Sequence, residues 1–236
     1  MTPSISRRRL AVATAVAAAT ATLAAGARAD GRSDALDSLA ASKTTLDKVL
    51  GDPAMSGFAN ALGGARGIVI MPKLLTVGFL VGYSTGTGLL LVRHGSQWSD
   101  GVFLHVHKPS AGFQAGVQQA QMLMLLMANQ GPTLLLDGSL RAGGSGGFAL
   151  GNMGLGGGAG GGATSGLDMI TVNYASGIFA GSSFEGTQMS IDRDRNAGLY
   201  GAPYDVRKIA GAPGTNPELA ALRAALASTT AKAQAG

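Results

Sequence analysis

His105 and His107 stand two apart in a segment, Trp98 through Val102 to His107, that reads as a strand, so both imidazoles would face one side and could share a metal. A zinc site normally takes at least three protein ligands, and no carboxylate or third histidine stands at a useful spacing. The pair therefore reads as half-exposed sheet histidines, with Cu(I) and nearby methionines as the metal alternative. Gly143-Gly144-Ser145-Gly146-Gly147 fits the G-x-S-x-G pattern of a hydrolase nucleophile. That pattern needs a buried strand before the serine and a histidine after it, whereas Arg141-Ala142 precede it here and all three histidines come earlier. Gly156 to Gly161 fits G-x-G-x-x-G, but no strand leads in and no helix follows to aim its N-terminus at a pyrophosphate. Asp168, Glu185, Asp192 and Asp194 are the acids that could be paired for general acid–base work. Asp192-Arg193-Asp194-Arg195 reads instead as a solvated, self-screening edge that discourages strand pairing. No nucleophile, base and orienting group assemble from these residues, so the sequence points away from an enzyme and implies no cofactor.

The elements that would position such residues follow from periodicity. The centre is Gly78 to Val92, read as two strands around a glycine turn at Ser84 to Gly88, where glycine permits positive φ. Leu89 to Val92 is a continuous apolar run, as in a strand covered on both faces. His94 to Gln97 makes the next turn before Trp98. Phe113 to Val117 alternates like a strand, and Gln119 to Ala128, ambiguous between strand and helix, is taken as its continuation. Residues 34–50 place Leu36, Leu39, Leu46, Val49 and Leu50 at near-helical spacing. Asp52-Pro53 then caps a short helix to about Leu62, ended by Gly63-Gly64. Gly143 to Gly166 is either a loop or closely approaching strands. Leu167 to Ala175 and Gly177 to Ile191 read as strands. Asn216-Pro217-Glu218 caps a terminal helix with Leu219, Leu222 and Leu226 on one face.

Composition limits the partners. With 236 residues, 38 glycines, 13% charged and 46% hydrophobic residues, the chain suits one turn-rich folded domain with tails. The formal charge of +5 suggests nucleic acid only until it is located. Residues 1–29 hold four of the 18 basic residues and none of the 13 acids, so the remainder carries 14 basic against 13 acidic residues, a net of +1. No basic patch interleaved with aromatics remains, which argues against nucleic acid. The same 29 residues look like a signal peptide: Arg7-Arg8-Arg9, an alanine-rich run, and Ala27-Arg28-Ala29 as a cleavage site. The arginines beside Ser6 and Leu10 suggest the twin-arginine route, with general secretion as the alternative. The expected destination is the periplasm or cell envelope. Cysteine is absent, so there is no disulfide, thiolate metal site or cysteine nucleophile.

One resemblance gathers these stretches. Ala65 to Ile70, Gly78-Phe79-Leu80-Val81, Gly86-Thr87-Gly88, Gln97-Trp98-Ser99 and Gly112-Phe113-Gln114-Ala115-Gly116 occur in an order that resembles the SYLF domain, also called the Ysc84 domain. Gly177 to Gly181 and Ser183 to Gly186 look like its closing signature, and the resemblance spans residues 34–200. Two departures stand out: Thr76-Val77 precede Gly78-Phe79 where the family often has Lys-Ala, and Asp100-Gly101 stand where a proline often follows the Trp-Ser pair.

The resemblance implies a mixed α/β, lipid-binding domain with no known catalytic activity; some eukaryotic members bind phosphoinositides or actin filaments. The expected fold is α+β, a mainly antiparallel β domain, barrel- or sandwich-like, with an N-terminal helical segment and a C-terminal helix outside it. The expected organisation is a signal peptide at 1–29, the domain at 30–210, and a helix and tail at 211–236. The expected function is non-catalytic binding of phospholipid or a membrane surface in the bacterial envelope, the alternative being a periplasmic protein-interaction or structural module. Under the lipid reading Leu39, Leu46 and Leu50 would insert, while Lys43, Lys48 or the strand-end cations Arg66, Lys73, Arg93 and Lys108 would meet phosphate.

Overall fold

The computed structural model describes residues 30–79, 81–111, 116–137, 150–153, 169–174 and 188–235. A first helix, α1, covers residues 30–50. A 3-10 turn, Pro53–Met55, follows, its N-cap Asp52 accepting from the Ala54 N–H, and leads into α2, Ser56–Leu62. The strands β1 (Gly67–Phe79), β2 (Val81–His94), β3 (Gln97–Trp98), β4 (Val102–Ala111) and β5 (Gly116–Leu126) form the meander. After α3 (Gly131–Leu136) come β6 (Leu150–Met153), β7 (Met169–Tyr174) and β8 (Gln188–Ile191), then α4 (Arg193–Tyr200), α5 (Val206–Ala210) and, behind a second 3-10 turn, α6 (Ala220–Ala235).

The sheet order is β6-β7-β5-β1-β2-β4-β8, with β3 paired to β2. Every pairing is antiparallel except β6 with β7. The α+β class with flanking terminal helices is as expected; the barrel or sandwich is not. Among the described residues the sheet is open, and helices rather than a second sheet cover both faces. On one face Ile68, Ile70, Leu89, Leu91, Phe103 and Leu123 pack against α1, α2, α4 and α6. On the other, Val69, Leu90, Leu104, Val106, Met124 and Leu126 pack against α3 and α5. This double covering is why the central strands read as unbroken apolar runs. Leu222 and Leu226 of α6 share one core with α1 and α2, so the C-terminal helix is an integral layer.

The glycine turn expected at Ser84 to Gly88 lies inside β2, which runs unbroken to His94. The reason sits across the ladder. Ile70 pairs with Leu89 but Lys73 pairs with Thr87, and on the other side Met71 pairs with Met122 but Leu74 with Ala120. The β1 strand thus carries one extra residue, a bulge around Pro72, where a residue without an N–H is tolerated. A Cβ on Gly86 would lie 2.3 Å from the Lys73 carbonyl, so glycine is needed there for close approach of the bulge.

The departure at Asp100-Gly101 has a structural role. The Asp100 carboxylate accepts from the Thr215 N–H (2.9 Å) and the Asn216 N–H (3.1 and 3.2 Å), and pairs with Arg223, so it fastens the start of the C-terminal segment. A Cβ on Gly101 would meet Leu89 at 2.5 Å and Leu219 at 2.8 Å. Trp98 is buried in the core, and the Ser99 hydroxyl accepts from the Val92 N–H at 2.9 Å. This Trp-Ser pair is therefore a brace between strands.

Candidate functional site

Arg66 immediately precedes β1 and Arg93 is the penultimate residue of β2. Gly67 pairs with Val92, so the register places residue 66 opposite residue 93, and the Arg93 N–H donates to the Arg66 carbonyl at 2.9 Å. Like charges directly opposite on a ladder repel. The structure nevertheless builds a cavity of about 400 Å³ around them, closed by α3 through Pro132, Thr133 and Leu136 and by α5 through Arg207 and Ala210. His94 lines it too, its Nε2 donating to the Ala210 carbonyl at 2.8 Å. Arg93 donates to the Gly63 carbonyl at 2.6 Å, and Arg207 pairs with Asp137 at 2.5 Å. Neither Arg66 nor Arg93 has an ion-pair partner among the described residues. Burial, and then the neighbouring Arg66 charge, lower the pKa of Arg93. Both causes say that holding Arg93 charged costs the fold free energy, which an anion in the cavity would offset.

The other expected lipid contacts are placed elsewhere. Leu39 is 6% and Leu46 0% exposed, packed on the sheet, and Leu50 is half-buried against the same core. The apolar face of α1 is the one it turns to the sheet, so Leu39 and Leu46 are not at a surface where they could insert. Lys43 pairs with Asp47 at 2.5 Å, one turn along α1, and Lys48 is exposed on its outer side. Lys73 lies midway along β1 and lines a separate concavity against α1, not the arginine cavity. Lys108 pairs with Ser84 in the β2–β4 ladder, and its side chain lies outside the described residues. So of the strand-end cations the fold unites Arg66 and Arg93, and it adds Arg207, which sequence reasoning missed. A basic residue in an unrecognised five-residue helix gave no periodic signal.

The expected solvated edge at Asp192 to Arg195 is corrected. Asp192 is fully buried and caps α4, accepting from the Arg195 N–H at 3.1 Å and pairing with the Arg195 guanidinium at 2.7 Å. His105 Nε2 lies 3.5 Å from the same carboxylate, a partner 87 residues away that no spacing argument could supply. Buried Asn196 holds the neighbouring strand: its Oδ1 accepts from the Phe103 N–H at 3.0 Å and its Nδ2 donates to the Phe103 carbonyl at 2.9 Å. His107 Nδ1 is hydrogen-bonded to the Tyr83 hydroxyl at 2.6 Å, the rings stacked 5.9 Å apart. Among the described residues no group of three or more histidine, aspartate or glutamate side chains could hold a metal. The G-x-S-x-G and G-x-G-x-x-G stretches, Asp168, Glu185, residues 112–115 and 177–186, and residues 1–29 lie outside the described residues.

A second concavity, about 490 Å³, lies between α1 and the sheet. Asp34, Asp37, Ser38 and Ala41 form its helical wall, Lys73, Thr85, Thr87 and His105 its sheet wall, and Arg195 one end. Arg195 is already engaged there, by Asp192, by Ser38 at 3.1 Å and by Asp34 at 3.5 Å.

Residues 107–229 match the Ysc84 family, described as Las17-binding protein actin regulator, a segment that reaches from β4 into α6. An SH3 domain-containing protein of Schizosaccharomyces pombe is 30% identical over 154 residues, covering 64% of this chain. The chain spans about a third of that relative's length (36%). No solved structure matches. The family match covers over half of the chain, and the protein belongs to the Ysc84, or SYLF, family.

Proposed function

We propose that this protein is a non-catalytic module that binds phosphate-bearing headgroups of a membrane surface through the Arg66–Arg93–Arg207 cavity. The membrane would be that of the bacterial envelope to which residues 1–29, read as a leader, would direct it. The observation that carries the reading is the juxtaposition of Arg66 and Arg93 on facing ladder positions, Arg93 partly desolvated, with neither paired to a carboxylate among the described residues. Arginine presents planar, charge-assisted donors that suit phosphate oxygens.

Vesicle co-sedimentation tests this. Phosphatidylglycerol vesicles should retain the protein, and Arg66→Gln with Arg93→Gln should weaken retention by at least about tenfold, the scale of one lost charge-assisted contact. Inorganic phosphate should raise the melting temperature of the wild type and not of the double variant. Equal retention of both proteins would remove the cavity from lipid binding.

A second reading is supported by the description of the family as Las17-binding, which makes protein partners a property to test in this chain. Under it the same basic cavity would take an acidic peptide segment, and retention by vesicles would be absent.

A further inference from the structure

We infer that the groove between α1 and the sheet seats a zwitterionic phospholipid, its headgroup between Asp37 and Lys73 and its chain along Leu75, Val77 and Tyr83. The bulge at Pro72 inverts the facing of β1, so that Lys73, Leu75 and Val77 point to the α1 face, as Ile68 and Ile70 do before it. Lys73 thereby lines the groove whose helical wall carries Asp37. The other ionisable side chains in the groove have partners: Arg195 pairs with Asp192 and Asp34, and the His105 ring lies 3.5 Å from the Asp192 carboxylate. Asp37 and Lys73 have no ion-pair partner among the described residues, and both are exposed.

One unpaired charge of each sign on facing walls selects the ligand. A purely anionic head would be drawn to Lys73 and repelled by Asp37; a cation would meet the reverse. A phosphate joined to an ammonium satisfies both walls, and the volume of about 490 Å³ lies in the range of small-ligand sites.

The tail follows from what lies beyond. On the same sheet face Val77 and its cross-strand partner Tyr83 are 51% and 49% exposed, the large exposed apolar side chains of the described residues. Leu75 lines the groove itself, so the strip begins inside it and runs about 13 Å from Lys73 to Val77 at strand rise. The Tyr83 ring is held by its hydrogen bond to His107 at 2.6 Å, which fixes the apolar surface in advance. This groove lies between α1 and the sheet and the arginine cavity at the ends of β1 and β2 against α3 and α5, with no lining residue in common, so the inference does not rest on the membrane-binding reading.

A short-chain diacyl phosphatidylcholine, kept below its micelle concentration, should bind the full chain saturably at one site by titration calorimetry. Lys73→Ala and Asp37→Asn should each weaken it about tenfold, and Val77→Ser by severalfold. Arg93→Gln should leave the affinity unchanged, which separates this site from the arginine cavity. Both charged side chains are exposed, and a thermal melt of each variant checks that it folds. Equal affinity for phosphocholine alone would make the ligand a free zwitterion and overturn the role of the strip. Equal affinity for short-chain phosphatidylglycerol, no effect of the Lys73 and Asp37 changes, or no binding would each overturn the proposal.

Discussion

The two cavities are of similar size, about 400 and 490 Å³, yet they treat charge in opposite ways. The arginine cavity gathers cations at the ends of β1 and β2, and one of them, Arg207, has a carboxylate partner. The groove against α1 is cross-linked: Arg195 bridges Asp192 and Asp34, and the His105 ring stands 3.5 Å from the Asp192 carboxylate, while Asp37 and Lys73 have no ion-pair partner among the described residues. They also stand on different supports. Short helices close the first, whereas the groove is walled by α1 and by α4, whose N-cap Asp192 is buried. Size alone says nothing about what either would take; the balance of charge separates them.

The largest effect is expected from a charge placed in the core beneath α1. Leu46→Asp would place an unpaired carboxylate at a 0% exposed position beneath α1. That cost approaches the whole stability of a domain, about 5–15 kcal/mol, so no cooperative melting transition should remain and both sites should be lost together. A cooperative melt with selective loss of vesicle binding would return Leu46 to the membrane surface.

Asp192→Ala should cut more selectively. It removes the α4 cap and leaves Arg195 with Asp34 at 3.5 Å, a loss of about 3 kcal/mol, or a drop in melting temperature of about 10 °C. The phosphate-induced rise in melting temperature should survive, because the arginine cavity does not touch α4, while phosphatidylcholine binding in the groove should fall. Loss of the phosphate response as well would show that the two regions are coupled.

The smallest effect and the sharpest contrast belong to Gly86→Ala. Its methyl would meet the Lys73 carbonyl at 2.3 Å, so the bulge must shift, at about 1–3 kcal/mol. Because that bulge aims Lys73, groove affinity should fall severalfold with the arginine cavity unaffected. An unchanged urea midpoint would mean that β1 can move away freely and that the bulge does not hold Lys73 in place.

Much of the scaffold was legible because its determinants are local. The apolar spacing in 34–50, the Asp52-Pro53 cap, the unbroken run Leu89 to Val92 and the Asn216-Pro217 start of the last helix each report on residues within a turn or a strand. The helices α3, α4 and α5, at six, eight and five residues, are too short to show a period, and the Asp192 cap was read as surface charge. An alternating acid–base run looks the same whether it faces water or closes a helix; burial distinguishes the two, and burial depends on which residues fold over it.

By itself the sequence determined the class of fold, the two terminal helices, the apolar central strands and the family motifs, since these follow from periodicity and from turn and capping chemistry. The tertiary structure alone decided that the sheet stays open with helices on both faces, and that the Ser84 to Gly88 glycines continue a strand past a bulge. It also decided that Leu39 and Leu46 belong to the core, that Arg66 and Arg93 line one cavity with Arg207, and that His105 meets Asp192. Each of these depends on ladder register or on contacts between residues far apart in the chain. A shift of one residue in register turns every side chain to the other face, so no count of local spacings could have fixed them.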